Sequence, residues 1–305
     1  MKKKLFALIL AFALALSLAA CGGDSGSSGA NTTSDSNSSD HSGVTATSDT
    51  SGDTDTGVVV TGKTDLTFSK SQGPYSILFE DAIIPILEAQ GYTVTAVDMS
   101  ELLVADVALN AGDVDLNVEQ HTAYINNFNA TNDGDLVGIS PIPTVPAGVY
   151  SSKHDSLDEI ADGALVAVPN DASNMARCYL MLQKIGWITL DPNADQTAVT
   201  QDDIIENPYN IQFTEMHSMN IPAAIDDFDY VAITGSVVYN AGIDPSTALA
   251  NEDIQDHLVL QVTVKEENAN TDWAQAVVAA YHSDEFKAYL AENNDGLWWI
   301  PAELQ

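Results

Sequence analysis

Arg177 is the only arginine in the 305-residue sequence, and it sits in Pro169-Asn170-Asp171-Ala172-Ser173-Asn174-Met175-Ala176-Arg177. That pattern reads as a turn followed by a helix, which puts Asn174 and Arg177 on one face at i,i+3. A guanidinium near a helix N-terminus pairs poorly with the helix dipole, yet is well placed to help grip a carboxylate from solution. The competing reading is a surface salt bridge to one of the 44 acidic residues. His121 and Tyr124 also stand at i,i+3, as a polar face that serves either packing or a site.

Other chemistry is sparse. The six histidines, His41, His121, His154, His217, His257 and His282, show no metal-ligand spacing and have no cysteine pair nearby, so no zinc site is expected. No GxSxG nucleophile elbow, GxGxxG or P-loop occurs, and no cofactor is implied. Gly23-Asp24-Ser25-Gly26 resembles the nucleophile sequence of a trypsin-like protease, but it lies in low-complexity chain that has no core to position a base. Trp298-Trp299 reads as a packing pair.

The N-terminus says where such chemistry would operate. Lys2, Lys3 and Lys4 precede an apolar run from Leu5 to Ala20, shorter than a bilayer span and of signal-peptide length. The run ends in Leu18-Ala19-Ala20-Cys21-Gly22, which resembles a bacterial lipobox, so residues 1–20 are expected to be cleaved and Cys21 acylated. More than one acyl chain on that residue would anchor the protein stably to the extracytoplasmic face of a cell membrane. Cys178, the second of two cysteines, is then left as a buried free thiol. Residues 21–62 are Gly, Ser, Thr, Asp and Asn with few aliphatic residues, the composition of a flexible tether.

Charge removes whole classes of partner. Ten Lys and Arg against 44 Asp and Glu give a net charge of −34, and loss of the three N-terminal lysines makes it 7 − 44 = −37. Such a field repels phosphate backbones and anionic lipid surfaces, so no nucleic acid is expected and membrane contact runs through the lipid alone. A hydrophobic fraction of 45% is that of a globular chain.

Beyond the tether, strand-like and helix-like segments alternate, which predicts an α/β architecture. Strands are expected at 65–68, 92–97, 114–118, 165–168, 211–214, 230–234 and 258–264. Helices are expected over 76–90, kinked by Pro85, and over 101–111, 173–185, 272–282 and 284–293, with Gly91, Gly112 and Gly186 as stops. A short helix follows through His121 and Tyr124. The proline-rich stretch 139–150 reads as a crossing between lobes.

The same segments carry a resemblance. Gly73-Pro74-Tyr75, Pro85-Ile86-Leu87, Asp113-Val114-Asp115, Gln120-His121-Thr122-Ala123-Tyr124, the Arg177 phrase, Leu157-Asp158-Glu159-Ile160, Glu206-Asn207-Pro208, Ile221-Pro222-Ala223-Ala224 and Ala232-Ile233-Thr234-Gly235 resemble signatures of the methionine-binding lipoproteins, the NlpA or MetQ family of ABC-importer solute receptors. The resemblance implies a type II periplasmic-binding-protein fold, with lobe 1 formed by residues 63–148 and 240–305 and lobe 2 by residues 149–239. It implies a non-enzymatic receptor that closes on one amino acid, methionine or a close analogue, and delivers it to a permease with ATPase subunits. It also implies that Arg177 holds the ligand carboxylate beside Asn174, with His121 and Tyr124 contributing from the other lobe and Tyr75, Asn220 and Thr234 at further family positions. Relatives carry two phenylalanines where Val118-Glu119 stand here, so Glu119 either points to solvent, the preferred expectation, or faces the ligand. Rival readings are a lipid-anchored structural adhesin and an extracellular hydrolase.

Overall fold

The computed structural model describes residues 62–294 and 296–305. The expected signal segment, the acylated Cys21 and the tether up to 61 lie outside the described residues.

The described chain opens with β1 (Asp65–Lys70), where Leu66 and Phe68 are buried. The helical path expected over 76–90 runs from α1 (Pro74–Leu78) through a π-helical turn at Phe79–Ile83 into α2 (Ile84–Ala89). Pro85 cannot close an i→i−4 bond, and the wider turn just before it absorbs the defect that a plain α-helix would show as a kink. Gly91, at φ 94°, ends the path. β2 (Thr93–Asp98) pairs in parallel with β1, and α3 (Leu102–Ala111) stops at Gly112, at φ 80°. β3 (Asn117–His121) starts three residues later than expected, since Leu116 makes only an isolated bridge to Phe68. α4 (Thr122–Asn132) and β4 (Leu136–Pro141) follow.

The chain then crosses to a five-stranded sheet at β5 (Gly148–Tyr150). Its second strand, β6 (Leu165–Pro169), leads into α5 (Ala172–Lys184), which carries a broad buried face and is followed by Gly186 at φ 79°. A small antiparallel pair, β7 (Thr189–Leu190) and β8 (Ile204–Glu206), precedes β9 (Gln212–Met216), β10 (Tyr230–Ile233), α6 (Gly235–Asn240) and β11 (Ala250–Asn251). The sheet order is β11-β5-β10-β6-β9. β11 pairs antiparallel with β5, Ala250 opposite Val149 and Asn251 opposite Gly148. The chain thus stays with this sheet as far as Asn251, beyond the return expected at 240, because β5 offers an edge that β11 can pair with.

β12 (Leu260–Lys265) returns between β3 and β4, antiparallel to both, and α7 (Asp272–Tyr281), α8 (Asp284–Asn293) and a 3-10 turn at Ala302–Leu304 follow. Each sheet system has its own core. Phe68, Phe79, Val262, Tyr281 and Phe286 centre the first, and Val166, Val168, Tyr179, Leu182 and Trp187 the second. Cys178 lies within the second core as a free buried thiol. The fold is mixed α/β and two-lobed.

Candidate functional site

A cleft with a cavity volume of about 560 Å³ opens where the C-terminal end of β1, the start of α3 and the end of β3 face the N-terminus of α5 and the start of α6. Its size is that of a small-molecule site. Met99, Leu102, Leu103, Met219 and Val237 supply apolar wall, and Glu119, Tyr124, Asn174 and Thr234 supply polar groups. Among the described residues that line it there is no lysine or arginine.

Local sequence explains how these groups are held. Asp171 is the N-cap of α5 and accepts from the Asn174 N–H at 3.0 Å, which orients the first turn. His121 is the N-cap of α4: its Nδ1 accepts from the Tyr124 N–H at 3.1 Å, leaving Nε2–H to donate to Asn174 Oδ1 at 3.2 Å. That bond joins the two lobes. Burial, with the Arg177 charge nearby, pushes the His121 pKa down to about 3, so the ring is neutral in the folded protein. Glu119 faces the cleft, against the expectation that it points to solvent: Ser76 Oγ donates to its Oε1 at 2.5 Å, and its own N–H donates to Asn117 Oδ1 at 2.6 Å. Burial raises the Glu119 pKa, while the Ser76 and Ser71 hydroxyls work in favour of its charge.

Arg177 does not line this cleft. Its side chain is 3% exposed and forks onto Glu252, itself 4% exposed, with Nε donating to Oε2 at 2.6 Å and Nη2 to Oε1. Nη2 also donates to the Val145 carbonyl at 3.4 Å, and Glu252 accepts from the Ala147 N–H at 2.6 Å. Burial works against the guanidinium charge and Glu252 more than offsets it, so the Arg177 pKa lies above the ordinary arginine value. A guanidinium this far from water needs an internal counterion, and the carboxylate just after β11 supplies it. The partner is therefore a buried residue, not the surface acid of the competing sequence reading.

Val145 and Ala147 belong to the first crossing segment, and Glu252 opens the second, so the pair ties α5 to both passages between the lobes. Tyr75 adds to this hinge: it is buried, its hydroxyl accepts from the Val145 N–H at 3.1 Å, and its ring lies 5.5 Å from Trp298. Trp299 exchanges two backbone bonds with Thr144, each 2.9 Å. Gly235 is obligatory here, since a Cβ would stand 2.3 Å from Val145 Cγ1 and 2.6 Å from the Pro146 carbonyl.

The structure thus brings Glu119, Tyr124, Asn174 and Thr234 to the cleft and sets Arg177, Tyr75 and His121 behind its wall. Asn220 is exposed at the end of a 3-10 turn, outside the cleft lining. Sequence reasoning missed Glu252. A lone arginine announces that it needs an anion, but nothing in the spacing says that the anion is 75 residues away.

A protein-family model described as NlpA lipoprotein matches residues 66–302. The chain belongs to the NlpA lipoprotein family. Within it, the D-methionine-binding lipoprotein MetQ of Escherichia coli K12 is 32% identical over 206 residues, covering 67% of this chain and 75% of the relative. A nutrient binding protein from Burkholderia cenocepacia, solved bound to methionine, is 27% identical with a TM-score of 0.73, over 77% of this chain and 99% of the other. An ABC transporter periplasmic substrate-binding protein from Coxiella burnetii is 29% identical with a TM-score of 0.72, over 78% and 100%. NlpA-family proteins are substrate-binding proteins with a small-molecule ligand and an ABC transporter partner, and the family is not one of enzymes. Among the described residues no helix is long and apolar enough to cross a membrane, which fits a lipoprotein.

One further feature of this NlpA-family chain underlies its Gln-His motif. Gln120 is buried and donates from Nε2 to Asp106 Oδ1 at 2.6 Å. Burial pushes the Asp106 carboxyl up to about 8, against the Gln120 bond. Asp106 Oδ2 and Gln120 Oε1 are both buried without a hydrogen-bond partner, and a proton on the carboxyl would relieve that excess of acceptors.

Proposed function

We propose that this chain is a lipid-anchored receptor of an ABC importer, held by acyl chains on Cys21 at the extracytoplasmic face of the cell membrane. It captures a free amino acid, methionine or a close analogue, in the interlobe cleft and passes it to a permease with ATPase subunits. The observation that carries this reading is the cleft itself, whose apolar wall of Met99, Leu102, Leu103, Met219 and Val237 stands beside polar Glu119, Tyr124, Asn174 and Thr234. That mixture suits a ligand with a flexible apolar side chain and a zwitterionic head. Membership of a family whose relatives include methionine-binding lipoproteins supports the same choice. Asn174, with Oδ1 committed to His121, has its amide N–H₂ as a donor for the ligand, and the Thr234 hydroxyl is a second neutral donor.

The hinge residues take a different part in this reading. Arg177 and Glu252 fix α5 to the crossings, and the lobes close by rotation about residues 142–147 and 252–259. A thermal-shift screen of the twenty amino acids against dialysed protein tests the function. A specific ligand raises the melting temperature with concentration, because it binds the native state alone. Absence of any shift across the set overturns the receptor reading. Cys21→Ala, which should move the protein from the membrane to the soluble fraction, tests the anchor.

A further inference from the structure

We propose that a crevice behind α6 is the reciprocal of the ligand cleft: its apolar walls meet when the lobes open and part when they close, so contact between them holds the unliganded receptor open. This rests on the hinge closure described above and adds to it the contact that closure must break. The first support is the helix between the two spaces. Ser236, Val237 and Asn240 of α6 face the ligand cleft. Gly235, Val238 and Tyr239 line a separate cavity of about 240 Å³, which Ile243, Pro245 and Leu297 help to enclose. At about 3.6 residues per turn the two sets fall on opposite sides of the helix, which makes α6 the partition between cleft and crevice.

The second support is that each lobe supplies one wall. Val238 packs with Ala167, Val231 and Ile233 of the five-stranded sheet, and Ile243 lies against that group. Leu297 instead packs on the first core, around Phe79 and Tyr281. Both walls are fixed at the hinge: Trp299, two residues beyond Leu297, is bonded to Thr144, and Gly235, at the start of α6, rests on Val145 and Pro146 of the same crossing. Cleft and crevice therefore lie on either side of the line about which the lobes turn. A rotation that brings the cleft faces together carries the crevice walls apart. The structure shows that combination, with His121 and Asn174 joined across the cleft side at 3.2 Å and the crevice parted behind α6. Tyr239 is left 39% exposed by it. When the lobes open, Tyr239 and Leu297 lose water against each other, which stabilises the open state and lowers ligand affinity by the fraction of receptor able to close.

Leu297→Ala and Tyr239→Ala, made separately in the full chain, trim the crevice without touching the cleft lining. Spin labels on Glu88→Cys and Asp202→Cys, both exposed and one on each lobe, read the distance between lobes, and Cys178 is too buried to take a label. Without ligand, both trimmed variants should shift that distance towards its value in the wild type saturated with L-methionine. Calorimetry should show L-methionine binding about three- to tenfold tighter, a gain that general damage to the fold does not produce. Ile205→Ala, which trims an exposed apolar residue of β8, should change neither reading. Because Tyr239 is partly exposed, its variant carries the test even if Leu297→Ala fails to fold. An unliganded distance shared by the wild type and the trimmed variants, or weaker binding in both, overturns this inference and leaves the receptor reading standing. A wild-type distance that L-methionine leaves unchanged while calorimetry shows it bound takes down hinge closure and this inference together.

Discussion

At the hinge, Arg177 and Glu252 meet out of water and answer each other's charge, with the crossing backbone at Val145 and Ala147 as the remaining partners. Across the cleft, Glu119 is held as firmly, by Ser76 and Asn117, but by neutral groups only. A paired buried charge fixes geometry and has little left to offer a ligand, while a carboxylate held by hydroxyls has no charged partner of its own. A lone arginine among 44 acidic residues offers a ligand grip or a surface ion pair, but not which carboxylate faces it. The comparison shows that what already faces it decides what it does.

The sharpest way to break this contrast is Arg177→Ala. If the arginine is structural, the variant leaves Glu252 buried without a counterion, and denaturant unfolding should show a loss of about 3–5 kcal/mol. The double variant Arg177→Met, Glu252→Leu should recover most of that loss, because neither charge is then stranded. An Arg177→Ala protein of native stability but weakened ligand affinity would put the arginine back in the ligand's path and erase the distinction.

A second test uses pH. The native state keeps a proton on Asp106 up to about 8, whereas the unfolded carboxyl releases it near its ordinary value of 3.8. The native state binds more protons across that window, so stability falls as pH rises, on the order of 6 kcal/mol in all. Asp106→Asn should remove this fall. His121 has the opposite sign, since its pKa is lowered from 6.5 to about 3 and the unfolded state binds the extra proton. In Asp106→Asn, melting temperatures should therefore rise from pH 3 to 6.5 and level off above; a fall persisting between pH 6.5 and 8 would acquit Asp106.

Thr234→Val gives the smallest effect. Loss of one neutral donor should weaken ligand binding by about 0.5–1.5 kcal/mol, with the unliganded melting temperature nearly unchanged. A drop in stability without loss of affinity would make Thr234 part of the hinge wall and blur the boundary between the two regions.

Much of the fold could be read from residue order. Gly91, Gly112 and Gly186 mark helix ends because each adopts a positive φ that other residues resist. α4 reads only as a short helix, since its sequence, TAYINNFNATN, is rich in weak helix formers and its N-cap is a histidine. β11 is two residues long and exists because β5 offers an edge, which no local pattern records. In the site, helical i,i+3 spacing pairs Asn174 with Arg177 and His121 with Tyr124, and only the family resemblance points them at a ligand; the structure lines the cleft with Asn174 and Tyr124. Spacing does not say that Arg177 lies in the buried face of α5, where a distant carboxylate and the crossing segment define its surroundings. Asp106 likewise reads as an ordinary polar helix residue until β3 brings Gln120 against it.

The antiparallel pairing of β5 with β11 has one more consequence. Gly148 faces Asn251 and Val149 faces Ala250, so the chain departs for the second lobe and comes back from it on neighbouring strands. In polymer terms residues 149–250 are a closed insertion with touching ends. The entropic cost of such a closure grows only with the logarithm of its length, so the first lobe is nearly indifferent to how much chain hangs there. The two paired positions are natural splice points: a lobe from a relative, or a reporter domain with equally close termini, can be exchanged between them while β12 still finds its place between β3 and β4.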